Sequence, residues 1–275
     1  MGEPELAQFW TRYLDDHHQR LAFVLHHPWW TLLACVAALR LAWISCHVDP
    51  APDRARVRGD GSERPGDTDH PARDAVLAVL GMRGLGGLPA RWTGLAALCV
   101  PADPAAYSHG ARRQTLRRKC RAAERHGVTC RLVPRGPERE DLLARAHAAE
   151  RTHPDDWYRN PAPDNSDLLR HDLWLVAEDA DGVPLLLTVA PVWGDTAVLR
   201  YFRTLGWERV HSDARYLATR ALVEELSRRG VRTLLDTEHP GEQSNGIRHF
   251  QRMVGFRYHR VRRAPLTAAA DPAAA

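Results

Sequence analysis

The last third of the chain constrains its fold most. Ser244-Asn245-Gly246-Ile247-Arg248-His249-Phe250-Gln251-Arg252-Met253-Val254 reads as a helix, Gly255 stops it, and Phe256-Arg257-Tyr258-His259-Arg260-Val261 follows as a strand. Glycine ends helices because it enters the left-handed region without a Cβ clash, and aromatic and β-branched side chains suit the pleated surface of a strand. Upstream, a helix over Ala214 to Arg229 sets Ala218, Leu222 and Leu226 in one row, with Ser212 or Asp213 as its cap and Gly230 as its stop. Val231 to Asp236 is the next strand. Strand and helix alternating in this way predict a mixed sheet covered by helices.

Three strands precede that unit: Asp172–Glu178, Val183–Ala190 and Thr196–Arg203, joined by turns at Asp181-Gly182 and Gly194-Asp195. Earlier still, Leu95–Val100 reads as a short strand, and Ala111 to His126 as a helix with a narrow apolar stripe of Leu116, Cys120 and Ala123 in a field of arginine. Gly127 ends that helix and Val128–Val133 alternates like a strand. A helix over Glu138–Thr152 buries Leu142, Leu143 and Ala146. The irregular stretch from His153 to Asp167 carries Trp157 and Tyr158, which are either packed on the core or exposed for acceptor contact.

Residues 1–48 form an N-terminal helical segment. Pro28 to Val48 is apolar on nearly every side but interrupted by Arg40, whose insertion at mid-span costs about 2.5–3.5 kcal/mol. The segment therefore reads as a buried or membrane-surface helix ahead of the alternative, a true membrane span, with Trp29 to Ile44 as a peripheral membrane contact. Residues 49–74, rich in Pro, Asp, Arg and Gly, form a flexible linker; 75–265 is the catalytic-sized domain, and 266–275 a disordered tail. Gly81, Gly84, Gly86 and Gly87 lack the lysine–hydroxyl pair of a phosphate loop and read as a turn. His17-His18 and His26-His27 are adjacent pairs that point apart on a helix, and the five cysteines show no metal-ligand spacing, so no metal is expected and a reducing, cytoplasmic setting is. A net charge of +4 suits phosphate-bearing partners.

The element order from Leu95 to Val261 and the terminal helix closing on Gly255-Phe256 resemble the GNAT N-acyltransferase superfamily. The Arg-rich helix leading through Gly127-Val128 into a strand resembles its Fem-type and cellulose-biosynthesis-type branch. The resemblance implies an α/β (α+β) fold, a GNAT-like mixed, mostly antiparallel twisted sheet flanked by helices, with an N-terminal helical extension. It implies an enzyme that moves an acyl group from acyl-CoA, acetyl-CoA above all, or an aminoacyl group from aminoacyl-tRNA, to an amine on a small molecule or peptide. By the same resemblance Val210, His211, Ser212, Arg215, Asn245 and Phe250 bind the donor, and the Arg112–Arg125 helix is a surface for tRNA.

Two positions depart from the family pattern. The pyrophosphate loop is glycine-rich in the family, whereas His211-Ser212-Asp213-Ala214-Arg215-Tyr216 has no glycine, which leaves room for aminoacyl-tRNA. Gln251 stands where many members carry the tyrosine that protonates the leaving group, and an amide cannot do so. Bases are sought at strand ends: Glu178, Glu208, His211, Asp236, Glu238 and His239, with His239 and Glu238 preferred and Tyr201 as the alternative acid. The other class left open is a catalytically inactive module that binds tRNA, nucleotide or a membrane-associated partner.

Overall fold

The computed structural model describes residues 28–50, 70–83, 88–156, 158–238 and 243–266. In chain order these contain α1 (Pro28–Leu39), β1 (Trp43–Pro50), α2 (Pro71–Gly81), the single turn α3 (Ala90–Thr93), β2 (Leu95–Cys99), α4 (Gln114–Arg125), β3 (Thr129–Leu132), α5 (Pro137–Arg151), β4 (Trp174–Glu178), β5 (Pro184–Val189), β6 (Val192–Trp193), β7 (Thr196–Leu199), β8 (Tyr201–Thr204), α6 (Arg209–Arg228), β9 (Thr233–Asp236), α7 (Asn245–Val254) and β10 (Arg257–Leu266). The strands make two sheets, ordered β1-β10-β2-β9-β7-β6 and β3-β4-β5-β8. Among the described residues only β1/β10 and β7/β9 pair in parallel, so the fold is mixed, mostly antiparallel and flanked by helices.

Both sheets share one covered face. There α4, α6 and α7 pack Leu116, Leu222 and Val254 against Leu98 and Leu234 of the larger sheet and Leu175 of the smaller. On the opposite face the sheets have separate cover: α2 lays Val76, Val79 and Leu80 on the larger, and α5 lays Leu142, Leu143 and Ala146 on the smaller. Being covered on both faces, β4 buries every residue from Trp174 to Ala177 instead of alternating. Arg139 of α5 is buried as well, stacking over Trp174 and donating to the carbonyls of Val133, Pro134, His171 and Asp172.

The end of α7 is built as its sequence predicts. The Ser244 hydroxyl accepts the Ile247 N–H at 3.3 Å to cap the start, and Gly255 takes φ 107° at the end. A Cβ there would strike the guanidinium of Arg113, which stacks over Tyr107. Gly255→Ala is expected to cost roughly 2 kcal/mol, from left-handed strain of about 1–2 kcal/mol plus displacement of Arg113. Urea unfolding measures this as a lower midpoint at unchanged slope.

Three elements differ from expectation. The helix starting at Pro28 ends at Leu39, and Trp43–Pro50 is a strand in parallel register with β10, Ile44 opposite Val261. The N-terminal segment is therefore part of the same sheet as the residues beyond 75. Residues 51–69 of the expected linker lie outside the described residues, as do Gly84, Gly86 and Gly87, the four N-terminal histidines and most of the tail; α2 starts at Pro71, inside the expected linker. Helix α1 buries Ala34, Ala37 and Ala38 and turns Trp29, Leu32, Leu33 and Leu39 outward. At 12 residues it is about 18 Å long against a hydrocarbon core of about 30 Å, and no helix among the described residues is long and apolar enough to cross a membrane.

Second, the strand expected over Thr196–Arg203 is two strands in different sheets. Leu199 pairs with Asp236 in the larger sheet and Tyr201 with Val189 in the smaller. Between them the Arg200 N–H turns back to the Val198 carbonyl at 2.9 Å. The Gly194-Asp195 turn accordingly joins β6 to β7, not β5 to the strand that pairs with it. Third, α6 starts at Arg209, five residues before Ala214, because Glu208 is its N-cap, and Ser212 and Asp213 fall inside the helix.

Candidate functional site

The site is built where β7 and β8 part. All four residues of β9 are buried, and strand alternation sends Leu234 and Asp236 to the α6/α7 face and Leu235 to the α2 face. Asp236 ends the strand opposite Leu199. Its carboxylate accepts Nε2 of Gln243 at 2.7 Å, Nε2 of Gln251 from α7, and the Glu238 N–H at 3.2 Å. Burial, and then the negative charge of Glu238, push its pKa from 3.8 up to about 7. A carboxyl poised there exchanges a proton readily at neutral pH. Gln251 has thereby a physical role that the sequence left open: its amide holds Asp236 instead of protonating a leaving group.

Of the preferred bases, Glu238 falls beside this group rather than in its place. Glu238 is exposed, and its backbone N–H faces Asp236. His239 lies outside the described residues. Glu178 is held by Arg131 at 2.6 Å, and Glu208 is exposed at the start of α6. Tyr201 is a correction: its phenol is 5% exposed, donates to the buried Glu150 at 2.6 Å in the core under α5, and is pushed well above its ordinary range, chiefly by burial. A phenol so placed is a structural donor, not an acid facing a cleft. What marks Asp236 in the sequence is an acidic residue ending an otherwise apolar strand, a signal shared with its acidic neighbour Glu238.

The expected donor-binding residues gather in part. Arg215 lies over the Phe250 ring, 5.0 Å from its centroid, and donates to Ser212 Oγ at 3.2 Å; Phe250 stacks on Phe202 at 5.8 Å. Val210 packs on the core beside them. His211 folds back onto Gly206, where a Cβ would strike its ring, and burial lowers its pKa. Asn245 is exposed at the start of α7 and accepts from Arg248. Tyr158 binds Ser244 Oγ at 2.5 Å, and Trp157 is outside the described residues. Anions bind a helix N-terminus through bare N–H groups, yet α6 opens with the carboxylate of Glu208 and a folded-back imidazole. The geometry does not offer the pyrophosphate cradle that the resemblance implies.

Helix α4 carries a mixed set of cations. Lys119 is bound to Asp213 at 2.6 Å, with Asp213 only 1% exposed. Arg117 donates to the carbonyls of Ser108 and Gly110, and Arg113 is locked between Tyr107 and Gly255. The exposed side chains of Arg118 and Arg121, and of Arg112 in the 3-10 turn before α4, have no hydrogen-bond or ion-pair partner among the described residues. Among the described residues no three His, Cys, Asp or Glu side chains come together as metal ligands.

No family model matches the chain and no curated protein matches it. Among solved structures it is similar to the C-terminal domain (DUF2156) of a putative lysylphosphatidylglycerol synthetase from Agrobacterium fabrum, with TM-score 0.44 and 19% identity over 60% of this chain and 58% of that one. It is also similar to L-PGS from Bacillus licheniformis, with TM-score 0.42 and 13% identity over 61% and 60%. The chain thus spans less than two thirds of either structure.

Proposed function

We propose that the chain is an aminoacyltransferase that moves an aminoacyl group from aminoacyl-tRNA to an amine, with Asp236 as the group that takes the acceptor's proton. The observation that carries this reading is the buried carboxyl poised at about 7 where the two sheets part. The amine nitrogen attacks the ester carbonyl, the C–O bond to the tRNA ribose breaks as the C–N bond forms, and the proton passes from the amine through Asp236 to the departing hydroxyl. Strand N–H groups at the parting stabilise the oxyanion. Glu238 and His239, two and three residues after Asp236 in sequence, are proposed to share in handling this proton.

The α6 N-terminus favours aminoacyl-tRNA over acyl-CoA, because the negative charge of Glu208 at its N-cap disfavours a second anion there and the opening turn carries no glycine. Arg118 and Arg121 of α4, and Arg112 in the turn before it, are the cations free to meet tRNA phosphates, and arginine does so through paired hydrogen bonds. His211, Ser212, Arg215 and Phe250 contact the donor's end. Peripheral membrane contact through the outward apolar side chains of Trp29 to Ile44, in a cytoplasmic setting, belongs to the same proposal.

The test is a transfer assay with radiolabelled aminoacyl-tRNA and, in parallel, labelled acetyl-CoA, against a panel of primary amines. Label is expected to move from tRNA to amine and not from acetyl-CoA. Transfer from acetyl-CoA alone reverses the donor assignment, and tight tRNA binding with no transfer makes the chain the binding module that its sequence left open.

A further inference from the structure

Over the break at Arg200, on the face opposite α6, a cavity of about 450 Å³ opens between α2 and the short 3-10 helix Ser166–Arg170. That size suits a small molecule. Ala75, Ala78, Val79 and Met82 form an apolar wall, while Asp74, Asp167, Arg170, His171 and Arg200 bring polar groups.

Two features of the lining point to a ligand. Asp167 and Arg200 neutralise each other through two hydrogen bonds of 2.9 Å, and Arg170 has a partner of its own. Asp74 is exposed, and its carboxylate has no partner among the described residues. It is the one carboxylate in the lining left to meet a cation. The second feature is His171, only 4% exposed, whose Nδ1 is buried without a hydrogen-bond partner. Its Nε2 is 3.9 Å from Asp167, beyond hydrogen-bond range. Burial lowers its pKa, which disfavours the charged ring. Nδ1 has no surface open to the cavity, so Nε2, without a hydrogen-bond partner among the described residues, is the ring nitrogen that a ligand meets.

We propose that this cavity binds a small primary amine with a short aliphatic body, the ammonium on Asp74, the body on the α2 wall, and a hydrogen bond to His171. The proposal stands on the cavity alone and needs no transfer activity. Thr237 lines the cavity and directly follows Asp236, so a bound amine would lie one strand thickness from the buried carboxyl.

The test titrates the full chain with n-butylammonium, n-butanol and butyrate while the imidazole resonances of His171 are followed by NMR. Millimolar n-butylammonium is expected to shift those resonances, with the alcohol and the acid at least about ten-fold weaker, the margin a single ion pair and its hydrogen bonds provide. Asp74→Asn is expected to weaken the amine about ten-fold. Asp74 also sits in the first turn of α2, so a second variant is needed: Ala78→Trp, at an exposed lining position, should block binding and leave the unfolding midpoint unchanged. Equal affinity for butanol and butylammonium, an unmoved His171, or full binding by both variants would each overturn the proposal.

Discussion

Asp236→Asn is expected to lower transfer by about 100-fold or more, the span for loss of a proton-transfer group, and at the same time to make the protein more stable at pH 8. The second half follows from linkage. The carboxyl's pKa is raised from 3.8 to about 7 by burial and by Glu238. Below pH 3.8 folded and unfolded chains both hold the proton, so the group contributes no penalty. Between there and about 7 the folded chain keeps a proton that the unfolded chain has lost, so stability falls as pH rises and stays lower above 7. At about 1.36 kcal/mol for each pH unit, the full penalty is roughly 4 kcal/mol. Asparagine cannot ionise and escapes it. The gain is largest if Gln243 turns its Oε1, which is buried without a partner, toward the new amide N–H. Unfolding of both proteins at pH 4 and pH 8 checks the stability, and the wild-type rate should climb to a plateau with an apparent pKa near 7. A variant stabilised equally at both pH values would show that ionisation is not the cause.

The second large effect is expected of Lys119→Met. Asp213 is buried in α6, and Lys119 of α4 is the partner of its carboxylate. Removing one partner of a buried pair costs about 3–5 kcal/mol; Lys119 keeps 24% of its side chain exposed, which puts the loss near the lower end, about 3 kcal/mol. Arg118→Met and Arg121→Met on the same helix should leave the unfolding midpoint within about 0.5 kcal/mol while weakening tRNA binding and flattening its salt dependence. If all three variants lose equal stability, or Lys119→Met alone weakens tRNA without unfolding, the division of α4 into structural and ligand-facing cations is wrong.

That division marks the limit of what the sequence discloses. Leu116, Cys120 and Ala123 announced the buried stripe of α4 by spacing alone, and Ser244 and Gly255 announced both ends of α7, because caps and stripes are local. Lys119 and Arg121 look alike in sequence; what separates them is Asp213, which is 94 residues from Lys119. The same holds for Gln251, a missing acid by its motif and a donor to Asp236 in space. The division of Thr196–Arg203 into two strands was hidden because both halves alternate normally, and only their partners differ. β1 was legible in principle: Ile44, Cys46 and Val48 recur every second residue, but they continue the apolar run of α1 and were absorbed into its helical reading.

The placement of β2 between β10 and β9, antiparallel to both, governs how this molecule comes into being. Leu95–Cys99 leaves the ribosome well before Arg257–His259, yet its flank stays open until those residues emerge and dock beside Ala97–Leu95. Loop-closure entropy makes such distant pairings slow. An uncovered strand is a template for the wrong neighbour, so the nascent chain is exposed to aggregation during the interval before β10 arrives.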